Sequence, residues 1–375
     1  MPALLDTVDP EGLQEFSVVF TDRSLNHMSA VFQQVMRDIS GMLKEVYNAD
    51  AVAVIPGGGT YGMEAVARQF ARDANVLVVR NGWFSYRWSQ IIETGGLTAQ
   101  TTVMKARQTA NISPSPFAPA PIDEVVAEIR SSRPDVVFAP HVETSAGVIL
   151  PDDYVTAMAA AAHEVGALMV LDCIASGCVW VDMKATGVDV LISAPQKGWS
   201  ASPCAGLVMM SERAEAKLQE TTSDSYAIDL AKWRQIMVAY ENGGHAYHAT
   251  MPTDALRDFR DTMLETREYG FDRLRTAQWA LGDGVRAMLR EMGVTSVAAD
   301  GFGAPGVVVS YTGDPDVQNG KKFAAIGMQI AAGVPLQCDE PSDFSTFRLG
   351  LFGLDKLYDV DGTIGRLKST LDQVL

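Results

Sequence analysis

The sequence predicts an α/β protein whose mostly parallel sheet is covered by helices on both faces. Two observations support this prediction: short apolar runs alternate with segments of helical pattern, and glycine, proline or polar residues bound most of these runs. Apolar runs of this length are typical of strands buried on both faces, and their alternation with helices indicates βαβ units. A smaller region of mixed pattern follows towards the C-terminus.

The predicted elements of the sheet region follow one another in a regular order. Strands are predicted at 51–55, 76–80, 135–139, 167–171, 188–192 and 206–210. Helices are predicted at 61–73, 85–94 and 152–165. Residues 107–122, rich in proline, serine and alanine, are predicted to form an exposed loop inside this region, because the strand pattern resumes after them.

The C-terminal part of the chain predicts a second, smaller α+β domain. From about residue 254 to 291, apolar residues recur at helical spacing, which indicates a long helix. A strand-like run at 306–310 and a helical C-terminus follow. We therefore expect the small domain to be carried on the long helix.

The bulk composition narrows the possible partners and the compartment. The chain has 375 residues, of which 47% are hydrophobic, and its formal net charge is −16. An acidic surface argues against nucleic acid and anionic membranes as partners. The N-terminus has no signal-peptide pattern and no stretch is apolar enough to span a bilayer, so we expect a cytoplasmic protein.

The four cysteines are Cys173, Cys178, Cys204 and Cys338. None of them lies in a CxxC pair or at ligand spacing from a histidine, so we expect free thiols and no metal site.

Lys197 lies in a short polar segment that directly follows the apolar run at 188–192. A lysine that leaves a buried strand into such a turn can form a Schiff base with an aldehyde cofactor. Asp172, which ends the run at 167–171, can pair with a protonated pyridine nitrogen. Together they predict pyridoxal phosphate chemistry. Each residue alone has an ordinary alternative, as a solvated surface lysine or as a helix cap.

A glycine-rich turn, Pro56-Gly57-Gly58-Gly59-Thr60, precedes the first predicted helix. Glycines let the backbone approach an anion closely, and the N–H groups of a helix N-terminus favour a phosphate. The turn is neither a P-loop nor a dinucleotide fingerprint. A merely flexible turn is an equally acceptable interpretation of this segment alone.

In order and spacing, these motifs resemble the class V, fold type I pyridoxal phosphate enzymes, and within them the alanine–glyoxylate and serine–glyoxylate aminotransferases. The resemblance runs from about residue 21 to the end of the chain. It implies a large cofactor-binding domain with a mostly parallel sheet of about seven strands at 21–262 and a small α+β domain at 263–375. Residues 1–20 would form an N-terminal segment.

The resemblance implies roles for residues on the phosphate and ring sides of the cofactor. Phe84, in the segment 81–87, matches the aromatic ring that stacks on the cofactor, with Trp83 and Tyr86 as competitors. The glycine turn matches the family's phosphate loop. The other implied cofactor contacts are Gly58, Gly59 and Thr60 at the phosphate, Thr144 beside the ring, Asp172 at the ring nitrogen, Ile174 on the ring face, Gln196 near the ring hydroxyl, and Lys197 as the Schiff-base lysine.

Two further motifs carry implied roles at the edges of the site. Tyr247 and Thr250 match residues that reach the phosphate of the other subunit, which implies a homodimer with shared active sites. His245 and His248 could also contact the site. Arg348 matches the arginine that binds the substrate carboxylate, a task suited to the guanidinium fork.

The implied activity is transfer of an amino group from a small amino acid, or a related amine, to a small 2-oxo acid such as glyoxylate or pyruvate. Lys197 would be the general base and Asp172 would support the cofactor ring. Two departures leave the substrates open. The family's Pro-Gly-Pro-Thr opening is replaced by the segment 15–23, and Ala249 stands where a second histidine is expected.

Two alternatives remain open from the sequence alone. The chain could be a lyase or a desulfurase of the same fold, and Cys338 is the one candidate for a desulfurase cysteine. It could also be a non-catalytic α/β protein that binds a phosphate ligand through the glycine turn. The joint presence of Lys197, Asp172 and Arg348 argues against this last possibility.

Overall fold

The structure is a computed structural model that describes residues 5–375, so the first four residues of the proposed N-terminal segment lie outside it. Its helices are α1 (Ala30–Tyr47), α2 (Gly59–Phe70), α3 (Trp83–Gly95), α4 (Ile122–Ser132), α5 (Asp152–Glu164), α6 (Met183–Thr186), α7 (Glu212–Glu220), α8 (Leu230–Glu241), α9 (Thr253–Tyr269), α10 (Phe271–Glu291), α11 (Pro315–Gln318), α12 (Lys321–Ala325), α13 (Leu354–Leu357) and α14 (Val360–Leu371). Its strands are β1 (Ala51–Pro56), β2 (Val76–Arg80), β3 (Thr101–Lys105), β4 (Arg107–Gln108), β5 (Phe117–Ala118), β6 (Val136–Pro140), β7 (Val142–Glu143), β8 (Val148–Ile149), β9 (Leu168–Asp172), β10 (Val190–Ser193), β11 (Ala205–Met210), β12 (Val307–Tyr311), β13 (Ala331–Ala332) and β14 (Thr346–Gly350).

A seven-stranded sheet in the described part of the chain forms the centre of the molecule, in the order β1-β11-β10-β9-β6-β2-β3. β11 pairs antiparallel with both of its neighbours, and all other adjacent pairs are parallel. The apolar runs of β2, β6, β9, β10 and β11 are buried along their whole length, because helices cover both faces of the sheet. The predicted α/β class with a mostly parallel sheet is therefore confirmed.

The parallel direction of the strands decides where polar side chains can meet. Every strand of this sheet except β11 runs the same way, so the carboxyl ends of these strands share one edge. β1 ends at the glycine turn, β9 ends at Asp172, and β10 ends at Ser193, just before the segment that contains Lys197. Residues far apart in the chain are thereby brought to one edge.

Three local predictions differ from the structure. The edge strand β3 was not predicted, because its half-buried residues TTVMK lack a long apolar run. The segment 107–122 is not a plain loop, since β4 and β5 pair within it as a short antiparallel ladder and α4 begins at Ile122. The long helix predicted at 254–291 is two helices, because the chain breaks at Gly270, whose φ of 104° only glycine adopts readily.

The C-terminal part combines a small antiparallel sheet with helices, as the mixed pattern predicted. The sheet has the order β12-β14-β13, and helices α13 and α14 pack with α10 beside it. The predicted division between residues 262 and 263 falls inside α9 and stays a prediction. None of the helices within residues 5–375 is long and apolar enough to cross a membrane.

Candidate active site

A cavity of about 380 Å³ lies at the carboxyl edge of the sheet, between the sheet and the C-terminal domain. It brings together all the site residues predicted from the sequence except Gly58, Tyr247 and Thr250. The predicted residues that line it are Gly59, Thr60, Phe84, Thr144, Asp172, Ile174, Gln196, Lys197 and Arg348. Gly58 lies next to the cavity as the N-cap of α2.

Asp172 ends β9 and is almost completely buried. Its Oδ1 accepts a hydrogen bond from the N–H of Ile174 at 2.9 Å. Burial raises the pKa of Asp172 to about 7, the charge of Glu143 adds to this effect, and the Ile174 N–H and the charge of Arg87 oppose it. A carboxylate in such a place is stabilised by a cationic group, and a protonated pyridine nitrogen is one.

Lys197 lies in the turn that follows β10 and lines the same cavity as Asp172. Its Nζ lies 5.2 Å from the centroid of the Phe352 ring. Burial lowers the pKa of Lys197, and the nearby charge of Arg348 lowers it further. A lysine with a lowered pKa has a larger neutral fraction, and the neutral amine is the form that acts as nucleophile or base.

Glu143 fixes the start of α3 and thereby the position of Phe84. Its Oε1 accepts the N–H groups of Phe84 and Ser145, at 3.2 and 3.0 Å, and the hydroxyl of Ser145 at 2.7 Å. Its Oε2 accepts the N–H and the hydroxyl of Ser85, at 2.9 and 2.7 Å. A side chain at Gly82 would collide with Ser145 and Glu143. This carboxylate caps the first turn of α3, a role that the sequence alone did not indicate.

Phe84, rather than either competitor, presents its ring to the cavity. Trp83 packs on Tyr86 with ring centroids 5.9 Å apart. The guanidinium of Arg80 lies 4.5 Å from the centroid of the Tyr86 ring. Trp83 and Tyr86 therefore pack away from the cavity lining.

Two arginines line the cavity and are held by different elements. Arg87 donates from Nη1 to the hydroxyl of Thr60 at 3.0 Å, beside the first turn of α2. Arg348, on β14, donates from Nε to the carbonyl of Ala332 at 2.8 Å. Burial lowers the pKa of Arg348, and the charge of Glu143 opposes this. The guanidinium carbons of Arg87 and Arg348 lie 5.2 and 5.5 Å from the centroid of the Phe84 ring.

Some of the cavity lining received no role from the sequence. These residues are Arg87, Val142, Ala175, Val307, Ala331, Gly350 and Phe352. Arg87 could have been found, because it lies on the helix predicted at 85–94, three residues after Phe84, and so shares the face of Phe84 if the helix begins slightly earlier, as α3 does. The residues from β12 and β13 carried no comparable signal, since no motif joins them to the sheet domain.

Tyr247 and Thr250 lie outside the cavity of their own chain and are both exposed. Their hydroxyls are 3.1 Å apart. His248 contacts the carbonyl of Tyr226 through Nε2 at 2.7 Å, and the ring of His245 packs near that of His27. Neither histidine lines the cavity, and the role of the Tyr247–Thr250 pair across a dimer stays a prediction.

Cys338 is buried and does not line the cavity. Its Sγ contacts the carbonyl of Arg80 at 3.4 Å, and burial raises the pKa of this thiol to about 12. A catalytic cysteine needs access and a thiolate. Cys338 therefore does not have the properties of a desulfurase cysteine, and the other three cysteines are also free and buried.

The fold and this cavity define the class of protein. A lysine, a buried aspartate and a helix N-terminus converge at the carboxyl edge of a mostly parallel sheet, as in fold type I pyridoxal phosphate enzymes. Residues 10–299 match the family "Aminotransferase class-V". The chain belongs to this family and is a pyridoxal-phosphate-dependent aminotransferase.

Individual relatives agree with this assignment. The chain is 27% identical over 358 residues to the 2-aminoethylphosphonate–pyruvate transaminase of Paraburkholderia phymatum, which covers 92% of this chain and 90% of the relative. It is 26% identical over 309 residues to alanine–glyoxylate aminotransferase 1 of Saccharomyces cerevisiae, which covers 78% of each. The crystal structure of an alanine–glyoxylate aminotransferase from Nostoc sp. shares the fold, with a TM-score of 0.77 at 20% identity over 92% of this chain and 89% of that one.

The residues of the cavity fit this cofactor. The Oε1 atom of Gln196 is buried and has no hydrogen-bond partner within residues 5–375, so it has an unused capacity to bind a ligand. No cation among the described residues 5–375 forms an ion pair with Asp172, and a protonated ring nitrogen would supply one. Gly59 lies so close to Ile174 that an added Cβ would be 2.5 Å from its Cδ1, so this part of the phosphate turn accommodates only glycine without a shift.

Proposed function

We propose that the enzyme transfers an amino group from a small amino acid, or a related amine, to a small 2-oxo acid such as glyoxylate or pyruvate. The observation that carries this proposal is the placement of Asp172, Lys197 and Arg348 around one cavity of about 380 Å³. The relatives support the substrate class, because their names pair an amino donor with pyruvate or glyoxylate. The donor itself is the part of this proposal that most needs testing.

Pyridoxal phosphate, when bound, supplies an aldehyde that joins to amines and a ring that accepts electrons from the donor's α-carbon. Asp172 would keep the ring nitrogen of the cofactor protonated, since its buried carboxylate would be stabilised by a positive neighbour. Lys197 would hold the cofactor through its aldehyde, because the side chain reaches the cavity that would contain it. Its amine, when free, would act as the base that takes the proton from the donor's α-carbon and returns it to the acceptor side of the reaction.

Arg348 orients the substrate by binding its anionic group. The side chain is half-buried, and its Nε is already bonded to Ala332, so the two terminal nitrogens are left to bind a carboxylate in a bidentate way. Phe352 and Val307 line the same end of the cavity with apolar surface. This end is therefore suited to a small substrate with one anionic group.

The proposal includes a homodimer with shared active sites in the cytoplasm. Tyr247 is 53% exposed and Thr250 is also exposed, although their hydroxyls point to a common position. Such a pair is well placed to reach the phosphate in the cavity of a second copy. Sedimentation analysis tests the dimer. Mixing Lys197→Ala subunits with Tyr247→Ala subunits tests whether the sites are shared. In a mixed dimer, one site would take its intact Lys197 from one subunit and its intact Tyr247 from the other, so activity should recover.

The function is tested with the protein reconstituted with pyridoxal phosphate. We expect a visible absorbance band that needs Lys197 and is bleached by the true donor. Donors for the panel include alanine, serine, glycine and 2-aminoethylphosphonate, each against glyoxylate, pyruvate and 2-oxoglutarate. The variant Lys217→Ala, which removes an exposed lysine paired with Glu220, is the matched control.

Two results would contradict the proposal. A colourless reconstituted protein would remove the cofactor assignment. A coloured protein that accepts no amino group from any donor, and instead eliminates or cleaves a substrate, would replace transamination by another reaction of the same cofactor.

A further inference from the structure

Arg87 is a cation of the cavity to which the sequence motifs assign no role. It lies on α3, one helical turn after Phe84, and its side chain is half-buried. Its contacts are with neutral groups, namely the hydroxyl of Thr60 at 3.0 Å and the ring of Phe84 at 5.2 Å. The guanidinium N–H groups that these contacts leave unused remain available to bind an anion in the cavity.

The contact with Thr60 locates Arg87 at one particular end of the cavity. Thr60 is the second residue of α2, and Gly58 is the N-cap of this helix, without a side chain to bond the first-turn N–H groups. The positive end of the helix and the guanidinium therefore converge on the same region. Two positive groups around one point favour an anion with more than one negative charge.

Arg348 is bonded to a different part of the molecule, which indicates that the two arginines have different tasks. Its Nε is bonded to Ala332 in the small domain, whereas Arg87 is bonded to the start of α2 in the sheet domain. The ring of Phe84 contacts both guanidinium groups. One cation thus lies at the end where the glycine turn would hold a phosphate, and the other at the end next to the small domain.

We propose that Arg87 binds the phosphate of pyridoxal phosphate and holds it together with the first turn of α2. The planar fork of arginine suits this task, because it can give two parallel hydrogen bonds to phosphate oxygens. Thr60 and the Phe84 ring keep the guanidinium in place before the cofactor arrives. This inference rests on the proposed function, in which the phosphate lies at the glycine turn.

The test compares the affinity of the apoenzyme for pyridoxal phosphate with its affinity for pyridoxal, which has the same aldehyde and ring but no phosphate. Both dissociation constants are measured by quenching of tryptophan fluorescence and by the Lys197-dependent absorbance band. Arg87→Gln is expected to weaken binding of pyridoxal phosphate by about tenfold to a hundredfold, the range for a lost charged hydrogen bond. Binding of pyridoxal is expected to stay within about twofold of the wild type, since no hydrogen bond to that ligand is lost.

Two variants and one competing ion complete the design. Arg87→Lys keeps the charge but loses the fork, so its affinity for pyridoxal phosphate should lie between those of the wild type and Arg87→Gln. Arg130→Gln removes an exposed arginine that pairs with Glu164 and should change neither affinity. Inorganic phosphate should compete with pyridoxal phosphate in the wild type, and much more weakly in Arg87→Gln.

Specific outcomes would overturn the inference. If Arg87→Gln binds pyridoxal phosphate like the wild type, or loses both ligands equally, Arg87 does not bind the phosphate. If this variant does not fold, Arg87→Lys decides the question, because an unchanged preference for pyridoxal phosphate over pyridoxal would overturn the inference. If the wild type binds neither ligand through Lys197, the proposed function fails as well, so the two failures are distinguishable.

Discussion

The two walls of the cavity differ in how the chain builds them. The wall from the sheet domain is formed where parallel strands end, so Asp172 and the Lys197 turn are held by buried backbone pairing. The wall from the small domain is formed by the antiparallel sheet β12-β14-β13, in which β13 pairs at only two positions with β14. The first wall carries the groups that we propose to bind the cofactor, and the second carries Arg348 and Phe352, which we propose to contact the substrate.

From this difference we expect the first wall to serve the chemical reaction and the second to determine the choice of substrate. A parallel sheet fixes the relative positions of its strand ends, and the cofactor needs such precision. The small domain is not part of this sheet, and it follows two helices that meet at Gly270. Substitutions in the sheet-domain wall should therefore stop the reaction, whereas substitutions in the small-domain wall should change substrate affinity.

The largest effect is expected at Lys197. Lys197→Ala removes the group that we propose to move the proton, so we expect the rate of transamination to fall by at least about a thousandfold. Single-turnover absorbance measurements with the best donor give this rate. Lys217→Ala is the control, and more than a few per cent of the wild-type rate in Lys197→Ala would contradict the assigned role.

A large effect is also expected at Asp172, on both rate and pH-dependent stability. Asp172→Asn should slow transamination by about a hundredfold or more, the range seen when a group that holds or moves a proton is lost.

The raised pKa of Asp172 also makes stability depend on pH. The pKa of Asp172 in the folded apoenzyme is about 7, above the ordinary value of 3.8. Between these two pH values the folded protein therefore keeps a proton that the unfolded chain has lost. At low pH the buried Asp172 is neutral, which favours the folded state. This contribution to the free energy of unfolding is lost as pH rises through about 7.

The pH dependence can be measured by denaturation of the two apoenzymes. The stability of the wild type should fall relative to that of Asp172→Asn between about pH 4 and about pH 7, because over this range the carboxyl ionises in the unfolded chain but stays protonated in the folded one. Parallel stability curves for the two proteins across this range would show that the carboxyl does not carry a raised pKa.

An intermediate effect, of a different kind, is expected in the small-domain wall. Arg348→Ala should raise the KM of the amino donor by about tenfold to a hundredfold, because a charged hydrogen-bonding partner of the substrate is lost. The affinity for pyridoxal phosphate should change by less than about threefold, since Arg348 is bonded on the small-domain side. Equal losses of both affinities would remove the distinction between the two walls.

The smallest effect is expected at Cys338, which is buried outside the cavity. Cys338→Ala should keep kcat within about twofold of the wild type, because the thiol is buried with its pKa raised to about 12 and is not poised to react. Steady-state kinetics with the best donor and acceptor measure this. A variant that folds but loses activity would restore the desulfurase interpretation.

Much of the fold and part of the site could be predicted from the sequence. The apolar runs predicted most strands of the sheet within a few residues, because strands buried on both faces need continuous apolar sequence. The half-buried edge strand β3 was missed, since it meets the sheet on one side only. The break at Gly270 was also missed, because helical spacing of apolar residues continues across it.

The amino-acid sequence by itself determined the α/β class, the order of the strands along the chain, and the position of Lys197 and Asp172 at strand ends, because apolar periodicity and turn residues are local properties. Only the tertiary structure decided that Arg87 faces Thr60, that Glu143 caps the helix of Phe84, and that Phe352 contacts Lys197. Each of these contacts joins residues that are distant in the chain. Their distances follow from how the sheet and the small domain pack, and no local pattern encodes that packing.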